Sequence, residues 1–283
     1  MIPAPFDYVR PTTVDEALAA LRDGGDDAKL LAGGQSLLPV LRLRMADPSL
    51  VIDLGGIPEL RGVREDGDRI VVGAMTTHDD VTRDELLAQH VALIVEATKT
   101  VADPQVRHRG TLGGALAHAD PAGDLAAPAL ALGAELVIAG GGGTRTVAAD
   151  DFFEDYFTTA IGEGEILTEI RFPKYTGWGA RYEKFHRVAQ AWSIVAVAAA
   201  VKVDGGSITD ARIGLTNMAG TPVRARTVET ALVGQSATEE NVRAAAQAAA
   251  EGTSPTADAD AGTDYREHLA RVLTGRAVLA AAG

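Results

Sequence analysis

The spacing of apolar and polar positions divides the chain into three stretches of different character. In the first stretch, residues 1–55, Thr13 and Glu16 form a capping box in front of an apolar run with helical period. Two short apolar segments that follow have the length of strands. The stretch therefore predicts a βαβ-like unit, with a helix over 14–21, strands at 29–32 and 50–54, and a short helix at 37–44.

The middle stretch, residues 56–177, mixes strand and helix patterns. A long segment rich in glycine, alanine and aspartate, 103–128, has no clear period. An irregular segment of this length in a compact chain is typical of a functional loop. The other predicted elements are strands at 69–75, 135–139 and 166–172, a hairpin tip at 140–143, a helix over 90–101 and a helix beginning at Thr77-His78-Asp79-Asp80.

The last stretch, residues 178–283, places strand patterns before helix patterns. Gly205-Gly206 is a hairpin signal between two of the strands, and 252–262 is a polar loop between two of the helices. Strands followed by helices predict a separate α+β domain with a three-stranded antiparallel sheet. Its predicted strands are 180–186, 193–203 and 208–216, and its predicted helices are 224–233, 238–251 and 263–281.

Composition and charge exclude several functions. The chain has 39 acidic and 26 basic residues, a net charge of −13, which disfavours binding to nucleic acid or to an anionic membrane. It has no cysteine, so neither a disulfide nor a thiolate-held iron–sulfur cluster or zinc ion is possible. Any electrons it handles must travel on an organic cofactor. No apolar run has the length of a membrane span and no secretory signal is visible, so we expect a cytoplasmic protein.

The first candidate for chemistry is the sequence AGGQS at 32–36. A predicted strand runs into two glycines and a hydroxyl residue, and a helix follows. Glycines permit close backbone approach, and exposed N–H groups in such a loop suit a phosphate or diphosphate. The sequence matches neither the dinucleotide fingerprint nor the Walker loop. The alternative interpretation is a tight turn between strand and helix.

The second candidate is GTLGGALAHADPAGDL at 110–125. Thr111, Gly113 and Gly114 form another loop with a hydroxyl and two glycines, and two such loops facing one another could hold a diphosphate from both sides. Asp120 and Asp124 could accept from ribose hydroxyls or an adenine amine, or could cap turns. His118 with these two aspartates leaves a metal site as a further alternative, although no other ligand motif accompanies them.

Three other features have a functional and an ordinary interpretation. The basic cluster Arg107-His108-Arg109 could face phosphates or an acidic partner, or be a solvated loop. Lys184 lies on an alternating strand, and Trp192 could stack on a flat ring or belong to the core. Ser36 with His118 as base would make a hydrolase, but the chain has neither the G-x-S-x-G motif nor an evident triad order, so we set that chemistry aside.

Motifs in order along the whole chain resemble the FAD-binding medium subunits of molybdenum hydroxylases, the xanthine dehydrogenase family, in particular those of the aerobic carbon monoxide dehydrogenase type. The shared order and spacing are more specific than any one motif. The matching segments are MIPAPFDYVRP at 1–11, AGGQSLLP at 32–39, ADPQVRHRGTLGGALAHADPAGDLAAPALALGA at 102–134, GEILTEIRFP at 164–173, YEKFHR at 182–187 and IGLTNMAGTP at 213–222.

The resemblance implies a PCMH-type (vanillyl-alcohol-oxidase-like) FAD-binding α+β fold. Two N-terminal subdomains, 1–55 and 56–177, would hold noncovalent FAD, and a C-terminal domain, 178–283, would cover the flavin. Backbone N–H groups and hydroxyls of the two loops would bind the diphosphate, Asp124 the nucleotide end, and Trp192 would stack near the isoalloxazine. The implied cofactor-binding residues are Ala32, Gly33, Gly34, Gln35, Ser36, Leu37, Thr111, Leu112, Gly113, Gly114, Ala115, Asp124, Leu167, Lys184 and Trp192.

Three positions bear on how this sequence follows the family pattern. Gln35 stands where related sequences carry either histidine or glutamine. Its amide provides a hydrogen-bond donor, as a histidine would, but it cannot be protonated like an imidazole. Ala115 replaces a common polar residue, so its contact would be through the backbone. Gln190-Ala191 replaces a glycine–aspartate pair before the aromatic residue, which removes a carboxylate near the flavin.

The resemblance also implies partners and a role. Iron–sulfur clusters and the molybdenum cofactor would lie on a small and a large partner subunit, with a dimer of heterotrimers as the assembly. The chain would relay electrons through FAD to a quinone or another acceptor, in the cytoplasm or at the inner face of the membrane through the complex. Open alternatives are a xanthine-, nicotinate- or aldehyde-type hydroxylase, a flavin-free assembly module, and a stand-alone flavin oxidase.

Overall fold

The computed structural model describes residues 2–283 and contains an N-terminal, a middle and a C-terminal unit, each built around one sheet. The strands are β1 (Asp7–Val9), β2 (Ala28–Leu31), β3 (Leu50–Asp53), β4 (Val63–Asp66), β5 (Arg69–Gly73), β6 (Glu135–Gly140), β7 (Gly143–Ala148), β8 (Phe153–Asp155), β9 (Thr158–Thr159), β10 (Ile166–Pro173), β11 (Gly179–Phe185), β12 (Val195–Asp204), β13 (Ser207–Thr216) and β14 (Val223–Arg224). The helices are α1 (Val14–Gly24), α2 (Leu37–Arg42), α3 (His78–Arg83), α4 (Glu85–His90), α5 (Ala92–Lys99), α6 (Pro104–Arg107), α7 (Leu112–His118), α8 (Ala126–Ala131), α9 (Ala149–Phe152), α10 (Arg226–Leu232), α11 (Glu239–Ala246) and α12 (Thr263–Ala282).

The N-terminal unit is a three-stranded parallel sheet in the order β1-β3-β2. Helix α1 begins as predicted, because the hydroxyl of Thr13 accepts from the N–H of Glu16 at 3.2 Å. The other half of the capping box differs: the Glu16 carboxylate accepts from the N–H of Thr12 at 2.8 Å instead of returning to the cap residue. The βαβ-like pattern is confirmed, and β1 adds a strand that the sequence did not reveal.

The middle unit is a five-stranded antiparallel sheet in the order β4-β5-β10-β6-β7, and its apolar core lies between that sheet and the helices from α3 to α8. The helix predicted over 90–101 is wrong at its start, because Val91, at φ −140° and ψ 42°, separates α4 from α5. The segment 103–128 contains α6, α7 and the beginning of α8. These helices have four to seven residues, too few for a period to be visible.

The C-terminal unit corrects the predicted three-stranded sheet to four strands in the order β11-β12-β13-β14. The added strand β14 has two residues and pairs with Gly214 and Leu215. It lies partly inside the segment that predicted a helix over 224–233, and Pro222 precedes it. The long run of small apolar residues in β12 has a physical reason, since both faces of this strand are buried.

One face of the C-terminal sheet closes the core of the middle unit. Ala196, Ala198 and Ala200 of β12 pack into that core, whereas Val195 and Val197 pack against the helices of their own unit. Gly214 of β13 lies so close to α8 that a Cβ there would overlap the backbone of Ala127. Among residues 2–283, no helix combines the length and apolar character needed to cross a bilayer.

Candidate functional site

The loop between β2 and α2 presents free backbone donors. Gly34 has φ +74°, a left-handed conformation that favours glycine, and its carbonyl accepts the first bond of α2, from Leu38, at 3.0 Å. The N–H groups of Gly33, Gly34, Gln35 and Ser36 donate to no acceptor among residues 2–283. Consecutive free N–H groups in a turn attract anions, so this loop has the chemistry of a phosphate site.

The second glycine loop, in front of α7, is used differently. Thr111 caps α7, and the N–H groups of residues 112–115 all donate within the chain. Their acceptors are the carbonyls of Thr76, Ala74 and Thr111 and the hydroxyl of Thr111, at 2.9–3.1 Å. Four of the five N–H groups in 111–115 therefore already have acceptors within the chain, two in the remote segment 74–76 and two on Thr111 itself. That these residues contact a diphosphate stays a prediction. Within this loop the N–H of Thr111 has no acceptor among the described residues.

The two glycine loops lie against one another. A Cβ on Gly33 would overlap the carbonyl of Arg109 and come within 2.6 Å of the Cα of Gly110. A Cβ on Gly114 would be 2.6 Å from the Thr111 hydroxyl oxygen and 3.1 Å from the Cβ of Ala32. Glycine is therefore required where the loops meet. The second loop is a hydrogen-bonded platform, and the first loop rests on it with its donors free.

Gly113 fixes the platform to the central sheet. A Cβ at this residue would be 2.7 Å from the Cα of Ala74, which follows β5. The N–H of Ala74 in turn donates to the carbonyl of Thr168 in β10 at 2.9 Å. Leu167, the neighbouring residue of that strand, is buried at a register shift of β10 against β6. The predicted cofactor residue Leu167 thus lies in the sheet layer beneath α7, and its contact with a cofactor stays a prediction.

Asp124 and Lys184 form an ion pair that is almost completely buried. The Lys184 ammonium lies 2.7 Å from Asp124 Oδ2, and the two side chains are 3% and 4% exposed. Tyr182 and Ser193 donate to Asp124 Oδ1 at 2.9 and 2.7 Å. Burial raises the pKa of Asp124, and the ammonium of Lys184 opposes that shift. The structure brings these two predicted residues together, and their contact with a nucleotide stays a prediction.

Two members of this cluster, Tyr182 and Ser193, escaped the sequence analysis. Tyr182 is fully enclosed, and burial, reinforced by the charge of Asp124, raises its pKa well above the usual range. The sequence could have indicated Tyr182, because it lies two residues from Lys184 on one strand and the two side chains therefore share a face. Ser193 had no local signal: it joins the cluster because Asn217, at φ +61°, holds the Ser193 carbonyl at 2.8 Å.

Trp192 lies in the segment between β11 and β12 and is 58% exposed. The preceding Gln190 donates to Asp103 Oδ2 at 2.7 Å, and this contact ties the segment to the middle unit. The segment without the family's aspartate thus has a carboxylate partner in the middle unit, Asp103. An exposed indole is available for the stacking role that the resemblance implied, and that role stays a prediction.

The alternative of a metal at His118, Asp120 and Asp124 has no support in the geometry. Asp124 is occupied by the ion pair, and Asp120 Oδ1 accepts from the N–H of Ala122 at 2.9 Å. Within residues 2–283, no three histidine or carboxylate side chains converge as metal ligands would.

A loop of free N–H donors on a hydrogen-bonded platform, in a chain without cysteine, has the chemistry expected of a site for an anionic organic cofactor. Residues 4–175 match the family described as the FAD binding domain in molybdopterin dehydrogenase, and residues 180–281 match the CO dehydrogenase flavoprotein C-terminal domain. The chain belongs to this family of FAD-binding subunits of molybdenum hydroxylases, and it is an oxidoreductase subunit.

Individual relatives are similar over their whole length. The carbon monoxide dehydrogenase medium chain of Hydrogenophaga pseudoflava is 43% identical over 284 residues, which cover 99% of this chain and 98% of the relative. A solved structure of carbon monoxide dehydrogenase from Hydrogenophaga pseudoflava has a TM-score of 0.95 at 44% identity, covering 99% and 98% of the two chains. Quinoline 2-oxidoreductase from Pseudomonas putida 86 has a TM-score of 0.95 at 34% identity, covering 100% and 98%.

Proposed function

We propose that this chain holds FAD noncovalently and relays electrons as the medium subunit of a carbon monoxide dehydrogenase. The observation that carries the proposal is the loop with the free N–H groups of Gly33, Gly34, Gln35 and Ser36, seated on the platform before α7. A diphosphate fits this loop because its oxygens can accept from four donors that have no acceptor in the described chain. Bound FAD supplies electron storage, and the protein positions and tunes it.

The residues proposed to contact FAD surround these loops. The first loop would bind the diphosphate, and Thr111 would add an N–H group. Asp124 and Lys184 would lie toward the nucleotide or the flavin, and Trp192 would cover the ring. The full proposed set is Ala32, Gly33, Gly34, Gln35, Ser36, Leu37, Thr111, Leu112, Gly113, Gly114, Ala115, Asp124, Leu167, Lys184 and Trp192. The proposed domains are two FAD-binding subdomains, 1–55 and 56–177, and a C-terminal domain, 178–283.

The proposed complex contains two other kinds of chain. A large subunit with the molybdenum cofactor would oxidise carbon monoxide with water to carbon dioxide, releasing two electrons and two protons. A small subunit with iron–sulfur clusters would pass the electrons to FAD on this chain. We further propose a dimer of such heterotrimers, a quinone or similar carrier as the acceptor, and a cytoplasmic location that includes contact with the inner face of the membrane.

A second substrate class is favoured by one comparison. Quinoline 2-oxidoreductase is as similar in fold as carbon monoxide dehydrogenase, with a TM-score of 0.95 in both cases. The substrate would bind on the large subunit, so a hydroxylase of heterocycles or aldehydes would need the same flavin subunit. The higher identity of 43% to the carbon monoxide dehydrogenase medium chain supports carbon monoxide.

Absorbance of the native complex and of this chain alone tests the proposal. We expect flavin bands near roughly 370 and 450 nm in both samples, released by acid, with iron–sulfur absorbance only in the complex. Addition of carbon monoxide without an acceptor should bleach the flavin band of the complex. A complex without flavin would contradict the proposed function, and bleaching by a heterocycle or an aldehyde but not by carbon monoxide would replace the substrate class.

A further inference from the structure

The arginine beside the anion loop has no partner in the described chain. Most arginines of this protein pair with a carboxylate, as an acidic chain allows. Arg109 is exposed, and its guanidinium makes neither an ion pair nor a hydrogen bond with residues 2–283. The carboxylate of Asp79, on neighbouring α3, already pairs with Arg83 and His108.

The backbone of Arg109 is fixed at the edge of the free donors. Its carbonyl is the group that a Cβ on Gly33 would overlap, so the two residues are in direct backbone contact. Its own N–H donates to the carbonyl of Val106 at 3.0 Å, and the following Gly110 accepts from the N–H of His78 at 2.8 Å. Hydrogen bonds and packing therefore hold the backbone of Arg109, from which its side chain extends, next to the loop of residues 33–36.

The N–H groups of the loop would compensate only part of the negative charge of a bound diphosphate, so a nearby cation would strengthen binding. Four N–H groups offer partial positive charge, whereas a diphosphate carries full negative charges. A guanidinium is the side chain that best complements phosphate oxygens, through charge-assisted and bidentate hydrogen bonds. The nearby His78 is not that cation, because burial, assisted by the positive charge of Arg107, lowers its pKa to about 4.

We propose that Arg109 binds the diphosphate of FAD and completes the anion site that the loop of residues 33–36 begins. This inference rests on the proposed function, because it assigns a further ligand to the same cofactor. Of the two functional interpretations of the basic cluster at 107–109, this inference favours contact with phosphate over contact with an acidic partner subunit.

The test compares FAD binding to the cofactor-free full chain in three forms: wild type, Arg109→Gln and Arg276→Gln. Arg276 is a matched control, an exposed arginine on α12 that also lacks an ion pair among the described residues. Quenching of flavin fluorescence gives the Kd at low and at high salt. We expect Arg109→Gln to raise the Kd about tenfold at low salt, since a charged hydrogen bond is lost. The difference should shrink at high salt, which screens exposed charges, and Arg276→Gln should bind like wild type.

Two outcomes would overturn the inference. The Kd of Arg109→Gln could equal that of wild type at low salt, or it could rise by the same factor at every salt concentration, which would indicate loss of structure. In the first case, weaker association of the Arg109→Gln chain with its partner chains would assign Arg109 to an interface. A wild-type chain that takes up no FAD would instead contradict the proposed function itself, and this inference with it.

Discussion

At the scale of single residues, the fold changes the protonation of His78 in weak acid. It is 4% exposed, and its Nδ1 has no hydrogen-bond partner among the described residues. Burial, with a smaller contribution from Arg107, lowers the pKa of His78 from 6.5 to about 4. The imidazole is therefore neutral near pH 7, and it supports Gly110, whose added Cβ would lie 2.7 Å from the ring.

This shifted pKa predicts a loss of stability in weak acid. The folded-state pKa is depressed, so the unfolded chain binds the extra proton between pH 6.5 and 4. The free energy of unfolding should therefore fall as the pH is lowered through that window, by about 3 kcal/mol in total and by about 2 kcal/mol at pH 5. Urea denaturation at pH 7 and pH 5 measures the effect. His78→Leu should lack this part of the pH dependence.

An exposed histidine provides the control. His268→Gln on α12 should keep the wild-type difference between pH 7 and pH 5. An equal loss of stability in His78→Leu and in wild type would show that carboxylates, and not His78, account for the acid sensitivity.

At the scale of elements, the contact between the two glycine loops predicts a sharp effect of a single methyl group. In Gly33→Ala the new Cβ would overlap the backbone of Arg109 and Gly110, which cannot move aside because both residues are hydrogen-bonded in the turn after α6. We expect the loop with the free N–H groups to shift, and FAD affinity to fall by a factor on the order of a hundred, about 3 kcal/mol. Fluorescence titration of the cofactor-free chain measures it.

Gly141→Ala is the matched control for this prediction. Gly141 lies at the hairpin tip between β6 and β7, and a Cβ there would meet no atom within 4 Å. This variant should bind FAD like wild type. Wild-type affinity in Gly33→Ala would contradict the packing of the two loops on one another.

The same loops show what local sequence could predict. Glycine and hydroxyl residues at 32–36 and 110–115 were sufficient to identify both loops, whereas their contact with one another was only a possibility that the sequence raised. Sequence could not distinguish the free donors of the first loop from the occupied donors of the second. The difference arises from Ala74 and Thr76, more than 30 positions away in the chain, whose carbonyls take two of the N–H groups.

Prediction of the elements depended on their length. The strands around Gly205-Gly206 were clear because ten-residue runs have a visible pattern, whereas β1 and β14 have three and two residues. The resemblance named Lys184 and Asp124 separately as cofactor-binding residues, and their ion pair was not predicted. These residues are 60 positions apart, and their contact is a consequence of how the C-terminal sheet packs on the middle unit.

At the scale of the whole molecule, the C-terminal unit is tied to the middle unit around residues 100–103. Lys184 donates to the carbonyl of Thr100 at 3.2 Å, and Gln190 donates to Asp103 Oδ2 at 2.7 Å. Asp103 Oδ1 also caps α6, through the N–H of Val106 at 2.9 Å. The segment that carries Trp192 is therefore held by the same carboxylate that caps α6, the helix that leads into the basic cluster at 107–109.

The contact between Gln190 and Asp103 predicts how firmly Trp192 is held. Gln190→Glu would put two carboxylates face to face, and the loss of about 1 kcal/mol would raise the fraction of chains with a released segment roughly fivefold. In a Trp178→Phe background, acrylamide should quench Trp192 more strongly in this variant than in wild type. Adding Asp103→Ser should restore the wild-type quenching, because the serine hydroxyl removes the repulsion, can donate to the new carboxylate at position 190 and still caps α6. Quenching that does not respond to Gln190→Glu would mean that the bond between the two units does not hold Trp192 in place.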